Sequence, residues 1–172
     1  DSLKNSILLK QPLRYTADDT SAKQTVRVAE TLFGINVCPS RRWSPFCQRL
    51  FKQRTANGIC LNNSTQSWDG DLHFLNDVPG CQRLRITTLT RPNLSPLVGN
   101  PNLVDFQLDF GVRKDPGELD LSSLPNLRRC EIPVSPGLMS FLKCKRLCSL
   151  WLFGGGYDGV LSLEPLPSLE EL

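Results

Sequence analysis

Cysteine and histidine are the residue types in this chain that could bind a metal or perform nucleophilic catalysis. The seven cysteines contain no C-x-x-C pair, although zinc sites usually combine close pairs of ligands. The single histidine, His73, follows Asp71-Leu72 and has no serine or cysteine nucleophile in a recognisable setting. The sequence therefore predicts a surface histidine, no metal site, no cofactor and no enzymatic activity.

The run Gly154-Gly155-Gly156 has the glycine content of a phosphate-binding loop. Such loops also need a lysine and a helix that begins directly after the glycines, and neither signal is present here. A turn after a strand accounts for the three glycines, because glycine adopts backbone conformations that other residues avoid.

Basic residues cluster in one stretch and could neutralise nucleic-acid phosphates. Within that stretch, Ser44 as N-cap and Pro45 in the first turn predict a helix whose apolar side carries Phe46, Leu50 and Phe51. A platform for stacked bases would need aromatic residues on the basic side instead. We therefore interpret the basic side as a solvated helix face, with RNA contact as the alternative hypothesis. The basic residues are Arg41, Arg42, Arg49, Lys52 and Arg54.

Bulk composition sets limits on location and partners. A net charge of +3 and 22% charged residues do not require a nucleic-acid partner. The apolar runs are only a few residues long, far below the roughly 20 needed to cross a bilayer, so no membrane segment is predicted. The odd cysteine count favours reduced thiols and an intracellular location over a secreted one. Triplets such as Asn93-Leu94-Ser95 match the glycosylation pattern and argue for secretion.

One apolar phrase recurs through the second half of the chain. It reads apolar, two variable residues, apolar, one variable residue, apolar, as in Leu127-Cys130-Ile132 and Leu147-Leu150-Leu152. A weaker copy is read at Leu84, Thr87 and Leu89. With this phasing the copies begin at positions 84, 103, 127, 147 and 169, at intervals of 19, 24, 20 and 22 residues. Periods of this length are typical of repeat architectures.

The phrase, with the Leu-Pro-Asn-Leu and Leu-Pro-Ser-Leu segments around it, resembles the leucine-rich repeat. The resemblance covers about residues 72 to 172 and implies an α/β fold, a leucine-rich-repeat-like solenoid with a parallel sheet on its concave face. The family commonly places Asn or Cys shortly after the strand, whereas this chain has Phe110-Gly111, Val134-Ser135 and Gly154-Gly155. The repeats are thus divergent. An ordinary α/β domain whose buried strands happen to begin with leucine is the alternative.

Two regions are predicted along the chain. Residues 1–58 form an N-terminal capping region with two helices, one over residues 22–33 and the second ending near Gly58. The first helix is inferred from Val26, Ala29 and Phe33 at helical spacing. Residues 59–172 form the repeat array, and we expect further repeats after Leu172 because the last phrase stops there.

If the family geometry holds, the variable positions of each phrase point out of the core. Trp151 is the most notable, since an outward tryptophan with Phe153 beside it and arginines on the next strand has the composition of an interface hot spot. Cover by the loop after Phe153, or by further repeats, is the alternative. The predicted partner-binding residues are Thr88, Asp105, Gln107, Asp109, Arg128, Arg129, Glu131, Trp151 and Phe153.

The resemblance implies a non-catalytic protein-interaction module that binds another protein within a larger complex. Leucine-rich repeat proteins of this kind include recognition subunits of ubiquitin ligases, immune receptors, pathogen effectors and scaffolds. A ribonucleoprotein component that contacts RNA through the basic stretch at residues 41–54 is the alternative function.

Overall fold

The computed structural model describes residues 12–17, 24–62, 70–90, 92–110, 119–154 and 166–170. These residues form an α/β fold with one eight-stranded sheet, whose strands lie side by side in chain order. The strands are β1 (Leu13–Ala17), β2 (Gln24–Thr31), β3 (Gly34–Pro39), β4 (Gly58–Asn62), β5 (Arg83–Thr88), β6 (Asp105–Phe110), β7 (Arg129–Pro133) and β8 (Ser149–Phe153).

The sheet changes direction at β3. Strands β1, β2 and β3 pair antiparallel, whereas every pair from β3 to β8 is parallel. Helix α1 (Pro45–Gln53) connects β3 to β4. The later connections contain 3₁₀ turns at His73–Asp77, Ser95–Leu97, Leu121–Ser123 and Pro136–Lys143. The predicted parallel sheet is confirmed.

Buried side chains line up across the parallel strands. Leu84 pairs with Phe106, Phe106 with Cys130, and Cys130 with Leu150. All four are at most 3% exposed. Because side chains alternate along a strand, one face of the sheet packs into the core and the other is left for solvent or a ligand. We call the second face the open face.

The backbone repeats one hydrogen-bond arrangement where the parallel strands begin. A single carbonyl oxygen accepts bonds from two consecutive N–H groups of the next unit, at distances of 2.8 to 3.1 Å. This arrangement satisfies backbone groups that would otherwise be unpaired where the chain turns into a strand. The accepting residues are Asn57, Gln82, Val104 and Arg128.

The predicted phase of the first repeat is wrong. Leu84 pairs with Phe106, which is the second apolar position of its phrase, so the first repeat begins at Cys81. Cys81 is 1% exposed and Leu89, predicted to be buried, is 56% exposed. With this correction the phrases begin at 81, 103, 127, 147 and 169, at intervals of 22, 24, 20 and 22 residues. Cys81 is small and is not a leucine, so the sequence pattern did not mark it as the first position of a repeat.

The predicted helix over residues 22–33 is wrong, because residues 24–31 form strand β2. Val26 and Val28 are buried while Arg27 between them is exposed, which is the alternation of a strand. A tight turn at Leu32 and Phe33 then leads into β3. Gly34 there has φ +123°, and a Cβ atom on it would lie 2.4 Å from Asn57 Oδ1. The turn therefore requires glycine.

The second predicted helix is confirmed as α1, but its predicted end near Gly58 is wrong, because α1 ends at Gln53 and Gly58 is the first residue of β4. The Ser44 side chain accepts a hydrogen bond from the Cys47 N–H group and caps the helix, with Pro45 in the first turn. Its apolar side buries Cys47, Leu50 and Phe51 in the core. The predicted cap of two helices is nevertheless wrong. Within the described residues, the antiparallel strands β1 and β2 lie at this end of the sheet, and α1 serves as the β3–β4 connection.

The predicted outward orientation of Thr88 is wrong, because the residue is 0% exposed. Its hydroxyl donates a hydrogen bond to the Thr90 carbonyl oxygen (2.8 Å) and accepts one from the Thr90 N–H group (3.1 Å). Thr88→Val leaves both backbone groups without this partner, so we expect a loss of about 1–3 kcal/mol in the free energy of unfolding.

Urea denaturation of Thr88→Val and of the matched variant Thr87→Val checks this prediction. Thr87 is half-buried on the open face, and its replacement is expected to change stability by at most about 0.5 kcal/mol. Equal, small effects for the two variants would contradict the burial of Thr88.

Candidate functional site

A groove with a volume of about 470 Å³ crosses the open face of the sheet. Its floor is polar and carries both signs of charge, since it is formed by the side chains that alternate with the core residues. We call it the sheet groove. Its floor residues are Asn36 of β3, Arg83 and Arg85 of β5, Asp105 and Gln107 of β6, Arg129 and Glu131 of β7, and Ser149 and Trp151 of β8.

The turn between β2 and β3 forms one wall of the sheet groove. Its residues Leu32 and Phe33 are 72% and 55% exposed. The Phe33 ring centre lies 4.3 Å from the Arg129 guanidinium carbon, although β4, β5 and β6 separate their strands in the sheet. An arginine at this distance from an aromatic ring makes a cation–π contact. The turn thus reaches across the open face as far as β7.

Arg83 connects this turn to the floor. Its guanidinium donates hydrogen bonds to Thr31 Oγ1 (3.1 Å), Asn36 Oδ1 (3.1 Å) and Asn57 Oδ1 (2.7 Å). Strand β4 lies between Arg83 and Asn36, and Gly58 occupies the intervening position. A Cβ atom on Gly58 would lie 1.9 Å from Asn36 Oδ1. The missing side chain is what lets Arg83 reach Asn36.

Asp105 lies between two arginines on neighbouring strands. It pairs with Arg83 on one side and with Arg129 on the other. Burial raises the pKa of the Asp105 carboxyl, while the charges of Arg129 and Arg83 oppose that rise. A carboxyl group in a groove with a perturbed pKa is more common at binding sites than on an ordinary surface.

Trp151 lies at the far side of the floor and is 63% exposed. It pairs with Glu131 on β7, and Arg129 lies two residues before Glu131 on the same face. The alternative that the loop after Phe153 covers Trp151 concerns residues 155–160, which lie outside the described part of the chain. An exposed tryptophan next to an arginine and a glutamate therefore borders the groove opposite the β2–β3 turn.

The structure places five of the predicted partner-binding residues together in the groove lining, namely Asp105, Gln107, Arg129, Glu131 and Trp151. Asp109 and Phe153 are half-buried at outward strand positions, outside the groove lining. Arg128 is exposed but precedes β7, and it too lies outside the lining. Thr88 is in the core.

Sequence reasoning missed Leu32 and Phe33, because they were assigned to the end of a helix. A signal was present: Thr31-Leu32-Phe33-Gly34 separates two runs rich in β-branched residues, which is the pattern of a short hairpin with a glycine in the turn.

The five basic residues of the second hypothesis are all exposed, on and around α1. Two of them pack on aromatic rings. The Arg49 guanidinium carbon lies 5.8 Å from the Phe46 ring centre, and that of Arg54 lies 5.1 Å from the Tyr15 ring centre. Arg54 also donates a hydrogen bond to the Tyr15 hydroxyl. Since α1 covers the core side of the sheet, this basic surface faces away from the sheet groove.

Other chemical candidates are sparse in the part of the chain that the structure describes. No group of three or more histidine, cysteine, aspartate or glutamate side chains there is arranged to hold a metal ion. His73 is exposed, and its Nδ1 atom lies 2.6 Å from Asp71 Oδ1. Among the same residues, no helix has the length and apolar character that crossing a bilayer requires.

Known proteins give no indication of what the sheet groove binds. No protein-family model matches this chain, and no curated protein and no solved structure is significantly similar to it.

Proposed function

We propose that the chain is an irregular, leucine-rich-repeat-like solenoid whose sheet groove binds a partner protein without catalysis. The observation that carries the proposal is the exposure of Trp151, 63%, on the groove side of a parallel strand. Tryptophan buries a large apolar area when it is covered, and this area makes it one of the strongest contributors to protein interfaces.

The solenoid part of the proposal draws support from the repeated unit. Successive units each supply one strand, a 3₁₀ turn and the same doubly accepting carbonyl at the strand start. In this proposal strands β1 to β3 and α1 together cap the array. Trp43 stacks on Phe74 at 4.7 Å between ring centres and so ties the segment before α1 to the first 3₁₀ turn.

The charges of the groove favour a protein partner over a nucleic acid. Three arginines line the floor, but Asp105 and Glu131 lie on the two strands beyond Arg83 and Arg85. A phosphate backbone would meet these carboxylates at close range, and the like charges would repel. A polypeptide segment with an apolar side chain and charges of both signs is complementary to this floor and to its apolar borders, Trp151 and Phe33.

The test begins with capture of partners by the tagged chain at low and at high salt, followed by affinity measurement with the purified partner. Trp151→Ala is expected to weaken binding roughly 30-fold, as loss of a hot-spot residue does. Leu89→Ala is the matched control, because Leu89 is similarly exposed, at 56%, but lies outside the groove lining. Its affinity is expected to stay within about twofold of wild type.

A different set of results would indicate that the basic surface around α1, and not the sheet groove, binds the partner. If the chain captures RNA, if salt releases it, and if Trp151→Ala leaves binding unchanged, the sheet groove is not the binding site. Loss of that RNA on replacing Arg41 and Arg42 by glutamine would then identify the basic stretch as the functional surface.

A further inference from the structure

Two cysteines lie side by side on the open face, away from Trp151. Val37 of β3 and Ile59 of β4 point into the core and are paired in the sheet register. The next residues, Cys38 and Cys60, therefore occupy adjacent positions on the open face. Hydrogen bonding between the two thiols shifts the pKa of both groups.

An arginine flanks this pair on each side. Arg27 of β2 pairs with Cys38, and Arg85 of β5 pairs with Cys60. The hydrogen bond from Cys38 lowers the pKa of the Cys60 thiol to about 7, with further lowering by the charges of Arg85 and Arg27. The same hydrogen bond and burial raise the pKa of Cys38. Of the two thiols, Cys60 is therefore the one that ionises more readily.

The two cysteines also differ in their exposure to solvent. Cys38 is buried, at 8% exposure, whereas Cys60 is partly exposed. Of the seven cysteines, only Cys60 and Cys148 are not buried. A reagent from solvent therefore reaches the Cys60 sulfur before the Cys38 sulfur, and Cys60 is also the better nucleophile because it is ionised near neutral pH.

We propose that Cys60 and Cys38 form a peroxide-reactive dithiol site, in which Cys60 is the attacking thiolate and Cys38 the resolving thiol. The Cys60 sulfur attacks one oxygen of hydrogen peroxide, the O–O bond breaks, and water leaves once the departing hydroxide takes up a proton. Cys60 is then a sulfenic acid. The Cys38 sulfur attacks the Cys60 sulfur, a disulfide forms, and a second water leaves. Two thiols are oxidised and one peroxide is reduced to two waters.

The backbone brings the Cα atoms of the two cysteines within the range that disulfides span. Paired residues on neighbouring strands lie about 4.8 Å apart, inside the roughly 4.4–6.8 Å range of Cα separations that disulfides span. Neither cysteine contributes to the hydrophobic core cluster, so the bridge can form without removing a core side chain.

The first test is the pH dependence of alkylation of Cys60 by iodoacetamide in the full chain, read by peptide mass spectrometry. In the folded protein the rate is expected to have its midpoint near pH 7, about one to two units below that of Cys60 in the denatured chain. Cys38→Ala removes the donor and is expected to raise the midpoint. Cys38→Ser retains an O–H donor and is expected to keep most of the shift. Arg85→Met is expected to raise the midpoint by a smaller amount.

The second test is peroxide treatment of the same proteins. Wild type is expected to lose both thiols together and to yield Cys38–Cys60-linked peptides, whereas Cys38→Ser is expected to accumulate a sulfenic acid that dimedone traps at Cys60. The proposal is overturned if folded and denatured Cys60 share one midpoint. It is also overturned if peroxide yields no Cys38–Cys60 link while other cysteines oxidise.

Discussion

Phe106→Ala is expected to lower the free energy of unfolding by about 3–5 kcal/mol, the usual cost of deleting a fully buried aromatic side chain. Phe106 is 0% exposed and occupies the middle of the buried column that runs from Leu84 through Phe106 to Cys130. Its removal leaves a cavity between neighbouring units, and the rigid strands on both sides limit how far the core can collapse into it. Urea denaturation followed by circular dichroism measures the loss.

Gln107→Ala provides the control, since Gln107 is the next residue of β6 but lies on the open face. We expect its replacement to change stability by at most about 0.5 kcal/mol. If Phe106→Ala does not fold, the stability loss of Phe106→Leu is compared with that of Gln107→Ala instead. Equal effects at positions 106 and 107 would contradict the assignment of the two faces.

Arg83→Met is expected to cost about 2–4 kcal/mol of stability, the second largest effect among our predictions. Methionine keeps the length of the side chain but loses the hydrogen bonds to Thr31, Asn36 and Asn57. Hydrogen bonds from a charged group contribute about 1.5–3 kcal/mol each, and water recovers part of that contribution at this half-buried site. The measurement is again urea denaturation.

The matched control is Arg85→Met, two residues further along the same strand. Arg85 is exposed, so its replacement is expected to change stability by at most about 0.5 kcal/mol. Arg85→Met is also expected to raise the pH midpoint of Cys60 alkylation. An effect on Cys60 with little loss of stability separates the role of Arg85 from that of Arg83. If the two arginine variants were equally stable, Arg83 would not hold the β2–β3 turn to the sheet.

Patterns within a few neighbouring residues were enough to predict helix α1 and strands β6, β7 and β8. Ser44 and Pro45 mark the start of α1, and the apolar phrases around Phe106, Cys130 and Leu150 mark β6, β7 and β8. The same phrases also place Trp151 outward, because neighbouring strand residues alternate between faces.

The helix over residues 22–33 was wrongly predicted because the same residues fit both a helical spacing and the alternation of a strand. Val26, Ala29 and Phe33 fit a helical spacing, whereas Val26 and Val28 fit a strand, and only pairing with β1 and β3 decides between the two. The first repeat was misread because Cys81 has the small side chain of an inconspicuous core residue.

Two features of the site depend on contacts between distant parts of the chain. Phe33 meets Arg129 across three intervening strands, and Cys38 meets Cys60 through the register of β3 and β4. Residue spacing carries no information about such contacts, so only the fold reveals the groove wall and the thiol pair.

The most direct test of the central claim, that the sheet groove holds a partner protein, is hydroxyl-radical footprinting with and without the purified partner. The proposal predicts that bound partner lowers the reactivity of Trp151 and Phe33, while Leu89 and Val98, exposed outside the groove lining, keep theirs. Unchanged reactivity of Trp151 and Phe33 in the complex, together with protection of Phe46 on α1, would contradict it.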